Sequence, residues 1–148
     1  MNTSTPHGER TLLAIDYGTR RTGIAVGQEL TGAATALTTL NSINNQPDWS
    51  GIKQLLEKWR PDALVVGIPT HMDGSTHELT ALARDFTTQL SNRFEIKIYE
   101  CDERLTSYEA ENILKQEKFD PQRDKHKIDA IAAQLILEDW MNQQGHND

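Results

Sequence analysis

Apolar positions change their period along the chain, and each change marks an element. Residues 11–16, TLLAID, form a short, mostly apolar run that ends in an acid. YGTRR at 17–21 reads as a turn, and TGIAVGQ at 22–28 as a second strand whose glycines point to tight packing or close backbone approach. A third strand is expected in ATALTTL at 34–40. The short spacing of the three predicts an antiparallel meander. A polar linker, NSINNQPD at 41–48, comes next. Apolar residues at 49, 52, 55, 56 and 59 then follow helical spacing, and Pro61 stops that helix. ALVVGI at 63–68 is a continuous apolar run, the pattern of a buried parallel strand covered by helices. After a loop at 69–76, residues 77–92 predict a helix with Leu79, Leu82, Ala83, Phe86 and Leu90 on one face. FEIKIYE at 94–100 alternates as a strand. Residues 105–117 predict a helix in which Thr106 and Glu109 have capping-box spacing, 118–127 a charged loop, and 128–141 a last helix.

Three strands, a helix, a strand, a helix, a strand and two helices describe a mixed sheet with helices on both faces. The two later strand–helix–strand connections are expected to be parallel crossovers. No G-x-G-x-x-G and no helix directly follow the first strand, which disfavours a dinucleotide-binding fold, and there is no P-loop.

A length of 148 residues suits one domain, expected over 11–141 between a disordered lead-in at 1–10 and a frayed tail at 142–148. No apolar stretch approaches a membrane span, and the polar MNTSTPHGER has no apolar signal core. Cys101 is the single cysteine, so no intrachain disulfide framework exists, and it reads as a small buried hydrophobe. A cytoplasmic protein with no membrane partner is expected. The net charge of -7, from 15 basic and 22 acidic residues, argues against bulk electrostatic binding to nucleic acid. A chain acting on nucleic acid would need a local positive surface around an acidic site.

The acids supply the candidate chemistry. Asp16 ends an apolar strand before a glycine turn, at the carboxyl edge where open α/β sheets place their ligands; it also suits a turn-capping role before Gly18. Asp102 and Glu103 follow the last strand, and alternation lets only one of them point the same way as Cys101. Either can instead cap the next helix or pair with Arg104. Asp129 heads a helical face continued by Ala132, Ala133, Ile136 and Trp140, where a carboxylate is costly unless paired or metal-bound; a helix-dipole role is the simpler alternative. Three such positions can converge at one sheet edge. Hard oxygen ligands of this kind suit Mg²⁺ or Mn²⁺, and two such ions can activate water and stabilise the leaving oxygen of a phosphodiester. No H-E-x-x-H competes, and His71, His77 and His126 read as surface residues. Arg20 and Arg21 adjoin the first acidic turn, Arg104 adjoins the second pair, and Lys115, Lys118, Arg123, Lys125 and Lys127 crowd the approach to the last helix.

Four ordered segments carry a family resemblance: DYGTRRTGIAV (16–26), VVGIPTHMDGS (65–75), DERLTS (102–107) and KIDAIAA (127–133). Together they resemble the YqgF/RuvX family over roughly residues 11–141. Its members are called pre-16S rRNA nucleases and, earlier, Holliday-junction-resolvase-like proteins. The resemblance implies an α/β ribonuclease-H-like fold, a mixed five-stranded sheet of three antiparallel strands then two parallel ones, flanked by helices. It implies a Mg²⁺- or Mn²⁺-dependent nuclease that trims the 5′ end of precursor 16S rRNA, within a pre-ribosomal particle, and leaves a 5′-phosphate. Asp16, Asp102, Glu103 and Asp129 match the family's acids, as catalytic and metal-binding residues. Arg21, Gly18 and Gly23 match the first motif, and Pro69, Asp73 and Gly74 the loop bordering the site. Arg21, Arg104, Lys125 and Lys127 are the expected phosphate contacts. The loop before the last helix departs from the family in being short and carrying Asp120 and Asp124. The rival substrate is branched DNA, and the rival role is a non-catalytic RNA-binding assembly factor. A kinase of the actin and sugar-kinase superfamily would need a second domain that 148 residues do not supply. A monomer or weak homodimer is expected.

Overall fold

Residues 11–41 form the meander that their spacing predicts, in a computed structural model that describes residues 5–69, 78–103 and 125–145, with backbone alone at Glu103, Lys125, His126 and Gly145. The described elements are β1 (Thr11–Asp16), β2 (Arg21–Gln28), β3 (Ala33–Asn41), α1 (Trp49–Trp59), β4 (Ala63–Pro69), α2 (Glu78–Phe94), β5 (Lys97–Glu103) and α3 (Lys125–Gly145). The five strands lie in the order β3-β2-β1-β4-β5. β1 pairs antiparallel with β2, and β2 with β3; β1 pairs parallel with β4, and β4 with β5. The expected mixed sheet is therefore the observed one. The helix expected over 105–117 lies outside the described residues.

Strand alternation splits the core into two layers. Leu12, Ala14, Ala25, Val65 and Cys101 face α3 and meet its Ile136, Leu137 and Trp140. Leu13, Ile15, Ile24, Val26 and Val66 face the other way and meet Ile52 of α1 with Phe86 and Leu90 of α2. β4 is central, so both of its faces are covered and all of Ala63–Ile68 is buried. Each fully buried Leu or Ile contributes about 1.5–3 kcal/mol by leaving water. α1 begins at an Asp48 N-cap that accepts from the Gly51 N–H at 2.9 Å, and it ends at Arg60 in a left-handed conformation (φ 45°) just before Pro61.

Several boundaries differ from the sequence expectation, and α3 continues to Gly145, through residues expected to fray. α2 runs to Phe94 and β5 starts only at Lys97. Phe94 satisfies both periods: it lies four residues beyond Leu90 on the helical stripe and two before Ile96 on the alternation, and all three pack in one layer. β5 consequently runs through Asp102 and Glu103, which are its last residues and do not follow it. α3 begins at Lys125, ahead of the expected Ile128. Within α2, Leu82 is 40 % exposed and Thr80 is buried. The stripe facing the sheet is Thr80, Ala83, Phe86 and Leu90. The Thr80 hydroxyl donates to the Pro69 carbonyl at 2.5 Å, tying the start of α2 to the end of β4.

A clasp holds the opposite end of the sheet from Asp16. Arg10 and Glu29 form a buried ion pair at 2.8 Å, and Glu29 also accepts from the Gly8 and Arg10 backbone N–H groups. These residues fall in the segment expected as a lead-in. Arg10 also donates to the Tyr99 hydroxyl at 2.9 Å, and Tyr99 packs on Trp140. Burial pushes the Glu29 carboxyl up, but the hydrogen bonds from Arg10 and Gly8 outweigh it and hold Glu29 below the ordinary value of 4.5. A folded-state pKa lower than the unfolded one stabilises the fold above the unfolded value and is lost as pH falls through the folded value. Melting temperature is therefore expected to drop as the medium is acidified through and below 4.5, and Glu29→Gln should flatten that drop in thermal melts. An unchanged acid slope in the variant would remove the clasp from the pH response.

Candidate active site

Asp16 ends β1, and its cross-strand neighbours on both sides are glycines, Gly23 on β2 and Gly67 on β4. Neither of the residues directly across the sheet from it carries a side chain. Alternation places Asp16 in the class of Leu12 and Ala14, on the α3 side. Arg21 and Gly23 share that class with Ala25 on β2.

Gly23 decides how α3 meets the sheet. A Cβ at this position would fall inside the Asp129 carbonyl group and close against the Ala130 nitrogen, both backbone atoms that no rotamer change can move. The missing side chain lets the first turns of α3 settle directly on β2, with the Asp129 backbone over Gly23, the cross-strand partner of Asp16. Asp129 is half-buried, and its Oδ2 accepts from Nε of Arg21 at 2.8 Å. At side-chain exposures of 30 % and 21 %, this pair is partly screened by solvent and contributes to stability only modestly. Its main effect is geometric: Arg21 holds the Asp129 carboxylate at the edge where Asp16 ends.

The turn between β1 and β2 is equally tight. A Cβ on Gly18 would lie 2.5 Å from the Arg21 carbonyl oxygen, so the chain doubles back there only without a side chain. Tyr17 points to the other layer and stacks on Phe86 with ring centroids 4.7 Å apart. Burial, and after it the charge of Asp85, pushes the Tyr17 hydroxyl above its ordinary pKa. Tyr17 thus anchors the turn from below and stays neutral near pH 7.

β4 and β5 place the remaining acids by register. Gly67 pairs with Cys101, Ile68 with Asp102 and Pro69 with Glu103. Cys101 is buried in the layer under α3, as expected of a small hydrophobe. The pleat gives position 103 to the side of Cys101 and Asp16, and position 102 to the side of Ile98. Asp102 is exposed. Lys127 is exposed on the first turn of α3. Arg104, Asp73 and Gly74 lie outside the described residues. The structure therefore gathers Asp16, Gly18, Arg21, Gly23 and Asp129, and separates Asp102 from them by face. Among the described residues no three His, Cys, Asp or Glu side chains form a metal-sized group, the Glu103 carboxylate being outside that set. Among them, too, no helix is long and apolar enough to cross a membrane. Gly67, Tyr17 and Thr80 carry positioning roles that sequence reasoning did not single out. A glycine interrupting an otherwise β-branched buried strand was the signal available for Gly67.

Comparison with known proteins follows the same elements. A family model described as "RuvX: Holliday junction resolvase" matches residues 10–143. The chain belongs to the RuvX family. It is 47% identical over 135 residues to a protein of Azotobacter vinelandii named "Putative pre-16S rRNA nuclease", covering 90% of this chain and 94% of that one. A protein of the same name from Pectobacterium atrosepticum is 45% identical, covering 91% of this chain and 97% of its own. Family and relatives make this RuvX-family chain a nuclease. Among solved structures, the fowlpox virus resolvase with Holliday junction DNA superposes with a TM-score of 0.59 at 8% identity, covering 90% of this chain and 98% of the other. Thermus thermophilus RuvC superposes with a TM-score of 0.54 at 13% identity, covering 92% and 96%. At such identities the likeness speaks for the fold, which is the ribonuclease-H-like sheet.

Proposed function

We propose that this chain hydrolyses phosphodiester bonds of precursor 16S rRNA, trimming its 5′ end during ribosome maturation in the cytoplasm. The observation that carries this reading is the seating of Asp129 over Gly23, the cross-strand partner of Asp16, at the carboxyl edge of the sheet in a chain of a nuclease family. The name borne by the Azotobacter and Pectobacterium proteins favours the RNA substrate.

The donors fit a divalent cation. Asp16 and Asp129 are hard oxygen ligands on one face, and the pleat adds position 103 to that face, so the proposed ligands of Mg²⁺ or Mn²⁺ are Asp16, Asp129 and Glu103. When bound, such a cation supplies an activated water and offsets charge on the phosphodiester oxygens. Asp16 is rigidly presented because its strand is hydrogen-bonded on both sides. Arg21 orients Asp129 through Oδ2, and its guanidinium keeps a positive charge beside the acids where a phosphate must approach. Lys127, exposed in the first turn of α3, is a proposed contact to a flanking phosphate, as is Lys125 by its position in the chain.

Cleavage of branched DNA is the second reading, favoured by the family's description. One assay separates them: precursor 16S leader RNA and a four-way DNA junction, each incubated with wild-type protein and Mg²⁺ or Mn²⁺. RNA cleavage alone is expected. Junction cleavage alone selects the resolvase reading, and cleavage of neither by folded protein contradicts both.

A further inference from the structure

Strand β3 breaks its own alternation. Ala36 pairs with Ala25 but Thr38 pairs with Ile24, so Leu37 is an extra residue, a β-bulge. Ahead of the bulge, Ala34 packs on the α3 side. Beyond it, Leu40 lies with Leu37 in the opposite layer, although three residues separate them. The bulge therefore turns Leu40 inward and gives Thr39 and Asn41 to the α3 side, where unbroken alternation would have put Thr38 and Leu40.

Those two polar residues and the bulged stretch 36–38 form one wall of a groove of about 600 Å³ at the edge of β3, with Lys127, Ala130 and Ile131 of α3 opposite. Among the described residues no carboxylate lines it, in a chain with 22 acids. The strand that walls the groove borders the candidate active site: Thr39 is the cross-strand partner of Gly23, and Asn41 of Arg21. Its chemistry is that of a nucleotide strand. It has an apolar floor for ribose and base, neutral hydroxyl and amide groups, and one exposed cation at the end nearest Asp129.

We propose that this groove seats the single-stranded RNA next to the cleaved phosphate, with Thr39 and Asn41 recognising ribose 2′-hydroxyls and Lys127 a backbone phosphate. Single strands offer unstacked bases and accessible sugars, and the 2′-hydroxyl is the group by which a protein tells RNA from DNA. The inference rests on the nuclease reading for its choice of ligand, and it extends that reading from the metal site to the path of the strand.

The test is equilibrium binding of a fluorescent single-stranded RNA and its DNA counterpart, in EDTA so that no cleavage intervenes. Wild-type protein is expected to prefer RNA. Thr39→Val with Asn41→Leu should weaken RNA binding by about tenfold, the scale of one or two lost hydrogen bonds, and remove the preference. Lys127→Ala, with folding checked by thermal melt, should lower the salt dependence of log K by about one phosphate contact. Hydrogen exchange on wild-type protein adds a readout free of variants: RNA should protect the amides of residues 38–41. Equal binding of RNA and DNA by wild-type protein, unaltered RNA binding in the folded double variant, or no protection at 38–41 overturns the proposal. RNA cleavage by wild-type protein alongside any of these leaves the nuclease reading standing. Groove-dependent RNA binding by a protein that cleaves nothing does the reverse.

Discussion

Asp16→Asn is expected to lower metal-dependent cleavage by about a thousandfold, because a bound cation offsets several kcal/mol of transition-state charge and each 1.36 kcal/mol is a factor of ten. The substitution keeps the size and the hydrogen-bonding reach of the side chain and removes its charge. Asp16 is flanked by Gly23 and Gly67 and carries no core packing, so the β1 pairings that hold it survive. Melting temperature should stay close to that of wild type, since the isosteric amide keeps the side chain's hydrogen-bonding reach. That pairing of lost activity with kept stability is the signature of a ligand, and it separates Asp16 from a turn-capping residue, whose loss would destabilise the fold. The same logic ranks the β5 acids: Glu103→Gln should behave like Asp16→Asn, and Asp102→Asn should retain most activity. The measurement is a cleavage time course at saturating Mg²⁺ beside a thermal melt. An Asp16→Asn protein within tenfold of wild type would sink the metal-site proposal.

Much of this arrangement was legible in the sequence because it rests on period. The unbroken apolar run of 63–68 pointed to a strand covered on both faces, and the spacing of 11–41 to a meander. Acids at strand ends were visible for the same reason. Register was not visible. Which of Asp102 and Glu103 shares a face with Asp16 depends on how β5 pairs with β4, and one residue of slip reverses the answer. Ends were blurred where one residue obeyed two periods, as Phe94 does. The Leu37 bulge left its only trace in leucines three apart, which also fits a helix turn. Arg21 was read as a phosphate contact, and its hydrogen bond to Asp129 spans 108 residues of sequence, beyond the reach of any local pattern.

Gly23→Ala is expected to damage stability and activity together, in contrast to Asp16→Asn. The added methyl would overlap the Asp129 carbonyl, a backbone atom anchored within the helix, so α3 itself must lift away from β2. Overpacking a well-fitted contact costs about 1–3 kcal/mol, and here the strain falls on the helix that also contributes Ile136, Leu137 and Trp140 to the core. Lifting α3 moves Asp129 away from Asp16 and stretches its 2.8 Å contact with Arg21. A displacement of about 1 Å in a reacting group can cost a hundredfold in rate, so cleavage should fall by about that factor even at temperatures where the variant is fully folded. A cleavage assay well below the melting transition, with folding checked by circular dichroism, separates the two effects. The half-saturating Mg²⁺ concentration should rise as well, since a ligand has been moved and not removed. A folded Gly23→Ala protein with wild-type cleavage and wild-type metal dependence would mean that the seat of α3 on β2 does not set the geometry of the acids.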